Sequence, residues 1–193
     1  MPVILRRRSD TPCADNRKAD EVVQFWRDSG PDQWFQQDPH FDRYFRARFL
    51  DLHLAAARHE HDNWLTEPGN ALALMILLDQ FPRNAFRHTP HMYATDPLAR
   101  HFALLAVKAG HLFAVEPPLR LFFCLPFAHS ENLADQDLSV ELNSQLGPVE
   151  RQHAEGHRDI IRRFGRFPHR NRLLLRGTTP QEQAFLDNGG FAG

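Results

Sequence analysis

The chain has 193 residues, a formal net charge of -1, and 42% hydrophobic against 24% charged residues. That length suits one compact domain with a single sizeable core, and the near-neutral balance argues against the broad basic face that nucleic acid or an anionic membrane surface would need. The longest apolar run, Ala71 to Leu78, falls far short of the roughly 20 residues that span a bilayer.

Residues 1–18 are polar and charged apart from Val3, Ile4 and Leu5 and show no amphipathic period, so they read as a loose leader before a single domain over 19–193. Val22, Phe25 and Trp26 recur at helical spacing until Gly30 and Pro31. Asp38 followed by Pro39 is a cap-then-proline signal for the longest amphipathic helix, with Phe41, Tyr44, Phe45, Phe49 and Leu52 along one face. Asn70 is the expected cap of an almost wholly apolar central helix from Ala71 to about Phe81, with Pro82 as its stop. Thr95, Asp96 and Pro97 repeat the cap signal, with Asp96 as the capping side chain, for a helix closed by Gly110. Pro117 and Pro118 open an aromatic segment through Phe123, and Asn132 begins a helix to Leu146. After Gly147 and Pro148, Val149 to about Phe164 forms a helix with His153, His157, Ile160, Ile161 and Phe164 on one face, and Gly165 is its stop. Pro168 predicts a short helix through Leu174, and Thr179-Pro180-Gln181-Glu182 a capping box that opens the last helix.

No stretch alternates in the manner of a strand, so the expected fold class is all-α, with antiparallel helical hairpins packed as a superhelix or bundle. Cys13 and Cys124 are the only cysteines, one in the leader and one in an apolar run, which suits a reducing compartment and a cytoplasmic location. All but two of the basic residues in the Lys+Arg total are arginine, Lys18 and Lys108 being the exceptions, so arginine density by itself is no functional signal.

Four stretches combine polar residues with rigid punctuation: Leu78 to Asn84, Thr95 to Ala99, Leu125 to Glu131, and His157 to Asn171. From about Val22 onward, and most specifically over His157 to Asn171, the chain resembles an uncharacterised bacterial family, domain of unknown function 924. The resemblance implies an all-helical fold similar to tetratricopeptide superhelices and brings no activity, cofactor or catalytic residue with it. One departure is visible: after Asn171 this chain reads Arg172-Leu173-Leu174-Leu175-Arg176-Gly177-Thr178-Thr179-Pro180, whereas the family looks more like a leucine-glycine-arginine turn before its threonine-proline cap.

The first candidate chemistry is an anion site, because Arg166, His169 and Arg170 flank the predicted helix start at Pro168. A carboxylate or phosphate is the matching ligand, in a pocket that gathers Arg83, His129, Glu131, His157, Arg166, His169 and Arg170. The competing reading makes the same residues staples: Arg163 and Arg166 cap carbonyls, and Arg170 pairs with Asp79 or Glu131. Acid–base work by His129, Glu131 and His157 is a further possibility for such residue types; Asp159 points away and forms an i,i+4 pair with Arg163. His153 and His157 are four apart, but Glu155 lies off their face, so neither a metal nor any other cofactor is expected. The Arg162 to Phe167 alternation is too slight against the charge balance to suggest nucleic acid. The expectation is thus a small-molecule binder without nucleic-acid or membrane partners, the alternative being a helical scaffold that holds a protein or peptide in a superhelical groove.

Overall fold

The computed structural model describes residues 14–191, which form helices joined by turns and irregular loops, with no strand among them. The helices are α1 (Ala14–Ser29), the single turn α2 (Pro31–Trp34), α3 (Pro39–Ala57), α4 (Pro68–Met75), α5 (Phe81–Ala85), α6 (Asp96–Lys108), α7 (Leu121–Ala128), α8 (Leu133–Ser144), α9 (Pro148–Phe164) and α10 (Pro180–Asp187). Residues 14–18 of the expected leader therefore belong to the first helix, where the Asn16 side chain accepts a hydrogen bond from Asn70 Nδ2. The rest of that leader, including Cys13, lies outside the described residues.

Local signals set most helix starts. The Asp38 carboxylate accepts from the backbone N–H of His40 and Phe41, Asn132 accepts from Ala134 N–H, and Thr179 and Glu182 satisfy each other's backbone donors in a full capping box. Gly165 ends α9 with φ 70°, and its N–H donates to Ile161 O.

The central helix departs from expectation in a way that builds the site. It starts at Pro68, with Asn70 inside its first turn, and it does not stop at Pro82. Between α4 and α5 the chain widens into a π-helical turn, Ile76–Gln80, where Phe81 N–H reaches back five residues to Ile76 O. A proline inside a helix removes one N–H and crowds the carbonyl four residues earlier, here that of Leu78. The π turn frees the carbonyls of this stretch, and side chains from elsewhere take them up: His53 Nδ1–H donates to Leu77 O (2.8 Å), Thr95 Oγ1–H to Leu78 O (2.6 Å), and Arg83 Nη1–H to its own preceding turn at Asp79 O (2.6 Å). Thr95 rather than Asp96 is consequently the residue before α6, and its hydroxyl is spent on the central helix instead of capping its own.

The main core gathers the buried Ala71 to Met75 of α4 and the buried π turn with Trp26 of α1, Phe45 and Phe49 of α3, Phe102 of α6 and Phe122 of α7. The aromatic rings meet in edge-on and offset pairs, Trp26 and Phe45 lying 5.4 Å from centroid to centroid. Next to α7 come α8 and then α9, joined by the short turn at Gly147 and packed along each other. A second, small core of Ile160, Ile161 and Phe167, with Phe164 and Phe185 against it, fixes α10 to α9. Pro168 opens a single 3-10 turn, Pro168–Arg170, rather than the helix expected there, so the chain has no helix dipole at this point to attract an anion.

Candidate functional site

The π turn presents Asp79 at the base of the site with no solvent exposure. His129, the residue that ends α7, donates its Nδ1–H to Asp79 Oδ1 at 2.7 Å, and Gln80 donates to Oδ2. Arg83 lies one turn on, 3.3 Å from Asp79 and bound through both terminal nitrogens to Asp96 at 2.9 and 3.0 Å. Burial disfavours the Asp79 carboxylate, but the Arg83 charge and the hydrogen bonds from His129 and Gln80 more than offset it and hold its pKa below the usual carboxylate range. His129 is also pushed down, below the ordinary imidazole range, by burial and by the Arg83 charge. Its ring is therefore neutral at pH 7, with the Nδ1 proton held by Asp79 and the Nε2 lone pair left as a proton acceptor.

A second side of the site comes from the turn after α9. Glu131 accepts from Phe167 N–H (2.8 Å) and from both terminal nitrogens of Arg176 (2.6 and 3.0 Å), and Arg176 also donates to Phe167 O and Asn171 Oδ1. This clasp fixes the Pro168–Arg170 turn, and the hydrogen bonds from Arg176 and Phe167, outweighing burial, hold the Glu131 carboxyl below its usual range and keep it ionised. Arg170, on that turn, is only 7% exposed, and its guanidinium is sandwiched over the rings of Tyr93 and Phe167, each 4.6 Å away. The guanidinium makes no hydrogen bond to any described residue: its one ionic neighbour is Asp96 at 3.6 Å, and its Nε is buried without a partner. His169 beside it has a buried Nδ1 that is likewise unpartnered.

His157 completes the group from α9. Its Nδ1–H donates to His153 O at 2.9 Å, and its ring meets Phe167 and Phe191 edge-on. Burial, then the neighbouring His129, takes its pKa down to about 4, whereas burial and the Arg170 charge take His169 to about 3. Both imidazoles are neutral at pH 7, and an anion placed between them and Arg170 would raise both.

Six of the seven residues expected at the site thus adjoin one another: Arg83, His129, Glu131, His157, His169 and Arg170. Arg166 is directed elsewhere, its guanidinium bound to Glu182 (2.6 and 2.9 Å) and to Gly177 O (2.7 Å), where it staples α10 to the preceding loop rather than capping α9. Arg170 pairs with neither Asp79 nor Glu131, since His129 and Arg176 already hold those carboxylates. Arg163 leaves Asp159 to Arg162 and instead covers the Phe164 and Phe185 rings. Sequence reasoning did not place Asp79, Asp96, Tyr93 or Arg176 in the site. The two aspartates lay in the quoted motifs, but Tyr93 and Arg176 carried no local signal. Among the described residues no group of three or more His, Cys, Asp or Glu is disposed to hold a metal ion, and no helix is long and apolar enough to cross a membrane. Cys124 is buried, which pushes its thiol up to about 12 and keeps it protonated and unreactive.

An all-helical domain whose π turn carries a buried Asp–His pair beside an arginine-rich turn is the class these features define, and the chain belongs to a family of bacterial proteins of unknown function, domain of unknown function 924, whose model matches residues 22–190. In three dimensions it is similar to the solved structure of the protein of unknown function ATU0120 from Agrobacterium tumefaciens, with 56% identity, coverage of 90% of this chain and 99% of that one, and a TM-score of 0.89. No curated protein matches the chain.

Proposed function

We propose that this protein binds a small anion, a carboxylate or a phosphate, at the Arg170 turn, with His157 and His169 alongside it and the Asp79–His129 pair as a proton acceptor at its edge. The observation that carries the reading is the Arg170 guanidinium. A nearly buried guanidinium whose Nε has no partner and whose one ionic contact, to Asp96, is a long 3.6 Å is a costly arrangement, whereas every neighbouring carboxylate already has a closer partner. An incoming oxyanion would satisfy those donors and draw protons onto the two neutral imidazoles. Arg83 and Glu131 serve the site indirectly, by holding Asp96 and the Pro168–Arg170 turn. Arg166 stands outside this reading because its fork is filled by Glu182.

The short-looped helix pairs are also compatible with the tetratricopeptide-like superhelix that the family resemblance implies, and with a protein held in its groove. Nothing about an open groove accounts for an unsatisfied buried arginine, so the small-anion reading is preferred.

Titration calorimetry with sulfate and with acetate tests it, using wild type and Arg170→Met. Saturable binding by wild type, lost in the methionine variant, is the expected result; a hundredfold excess over Kd should stabilise the fold by about 2.7 kcal/mol. Binding of neither anion, or equal binding by the variant, would remove the basis for the proposal.

A further inference from the structure

Beside the polar cluster, α9, Phe185 of α10 and Phe191 bound a cleft of about 560 Å³, whose lining combines Gly156, His157, Ile160, Phe164, Phe185 and Phe191 with the polar Gln152, His153, Asp159 and Arg163. That volume falls within the ~300–1,000 Å³ usual for small-molecule sites. Its lining changes character along its length. Phe164 and Phe185, with the Arg163 guanidinium lying on them, form one end, and the other end meets the imidazole of His157.

At that end the aromatic and polar groups are continuous. Phe191 stands edge-on to His157 (4.6 Å) and to His169 (5.2 Å), so both imidazoles already accept an aromatic ring as a neighbour. The chain reaches this position because Gly190 passes tight against Phe185, where a Cβ would come within 2.6 Å of the ring and of Phe185 O. Behind His169, whose Nδ1 has no partner, lies Arg170.

Gly156 supplies an independent observation. It sits within the 17-residue α9, without the positive φ that would call for glycine, and a Cβ built on it would touch nothing within 4 Å. Neither backbone conformation nor close packing requires glycine there, although glycine is the poorest helix former after proline. Gly156 lines the cleft, and the space beside its Cα is open, so a long side chain at this position would enter the cleft from the α9 face.

We propose that this cleft seats the apolar portion of the ligand, which makes the ligand class a small amphiphilic acid: an aryl or medium-chain alkyl group in the cleft, with its carboxylate or phosphate turned toward His157, His169 and Arg170. The proposal rests on the anion reading above and adds to it the substrate class and the role of Gly156. Removal of the hydrocarbon from water provides affinity, and the arginine turn provides orientation.

The test compares 3-phenylpropanoate and octanoate with acetate and sulfate by calorimetry, on wild type, Gly156→Leu and Arg170→Met. Wild type should bind both long acids at least about tenfold tighter than acetate, a gain that burial of a few methylene groups supplies. Gly156→Leu fills the cleft from its α9 side and should abolish that advantage while leaving acetate and sulfate binding unchanged. Arg170→Met should lose all four. Amide shifts in nuclear magnetic resonance spectra of the wild type, at Gly156 and Ile160 with 3-phenylpropanoate but not with acetate, give a readout that needs no variant. If the long acids bind no tighter than acetate, if Gly156→Leu keeps their advantage, or if the Gly156 and Ile160 amides do not move, the cleft is not the seat and the anion reading stands alone. Failure of wild type to bind acetate and sulfate would bring down the anion reading itself.

Discussion

Two arginines six residues apart should respond in opposite ways to the same substitution. Arg176 donates to Glu131 through both terminal nitrogens and also to Phe167 O and Asn171 Oδ1. Arg176→Met strands Glu131 with Phe167 N–H as its remaining donor. Breaking a fully buried pair costs about 3–5 kcal/mol. Because the two side chains are 23% and 27% exposed, solvent screening reduces that to roughly 2–3 kcal/mol. Arg170→Met removes a guanidinium with no hydrogen bond and leaves Asp96 held by Arg83. The methionine keeps an apolar stem between Tyr93 and Phe167, and relief of the desolvated charge offsets the lost cation–π contacts, so the change should stay within about 1 kcal/mol. With a urea slope near 2 kcal/mol per molar, the two denaturation midpoints should differ by about 1 M. Equal shifts, or a larger loss for Arg170→Met, would show that Arg170 is a structural staple and refute the reasoning behind the proposed site.

The buried imidazoles make the fold sensitive to acid. His157 and His169 have folded pKa values of about 4 and about 3, below the unfolded value of 6.5, so the unfolded chain binds more protons as pH falls from 6.5, and their contribution, complete above that value, is lost toward the folded values. Between pH 7 and pH 5 each should lose about 2 kcal/mol, visible in urea titrations at the two pH values; a fold equally stable at both would contradict their burial as neutral rings. Leu175 holds a left-handed φ of 55° and is 94% exposed, so Leu175→Gly should stabilise by about 1 kcal/mol in the same denaturation assay, with a fall in stability as the contrary result. Thr95→Val keeps the shape but leaves Leu78 O buried without its donor. It should cost about 1–3 kcal/mol, while Thr95→Ser should cost less; an unchanged midpoint for Val would mean that the π turn does not depend on this hydroxyl.

Most helix starts were legible because their causes are local. Asp38, Asn132 and Thr179 cap backbone groups within three residues of themselves, and a spacing rule can find such partners. The misjudged stretches fail the same condition. Pro82 looked like a stop because its crowding of Leu78 O is a local effect, whereas the hydroxyl that takes up that carbonyl comes from Thr95, 17 residues away in sequence. Asp96 looked like a cap because the cap-then-proline pattern is local, yet its carboxylate is claimed by Arg83 and Arg170. Pro168 promised a helix but opened one 3-10 turn, since Glu131 and Arg176 hold that backbone from outside.

The candidate site divides in the same way. Its histidines and arginines stood out by residue type and by their place in rigid, proline-marked segments, and six of the seven came together. Arg166 was separated from them by Glu182, a partner 16 residues on, and Asp79 became the anchor of His129 across 50 residues. The all-helical class, the capped helix starts and the candidate set followed from periodicity and short-range hydrogen bonding, which the order of residues determines directly. Which arginine bound a carboxylate through its fork and which kept only a 3.6 Å ionic contact was decided only when distant helices met, because each carboxylate oxygen accepts few donors and packing determines which donor arrives.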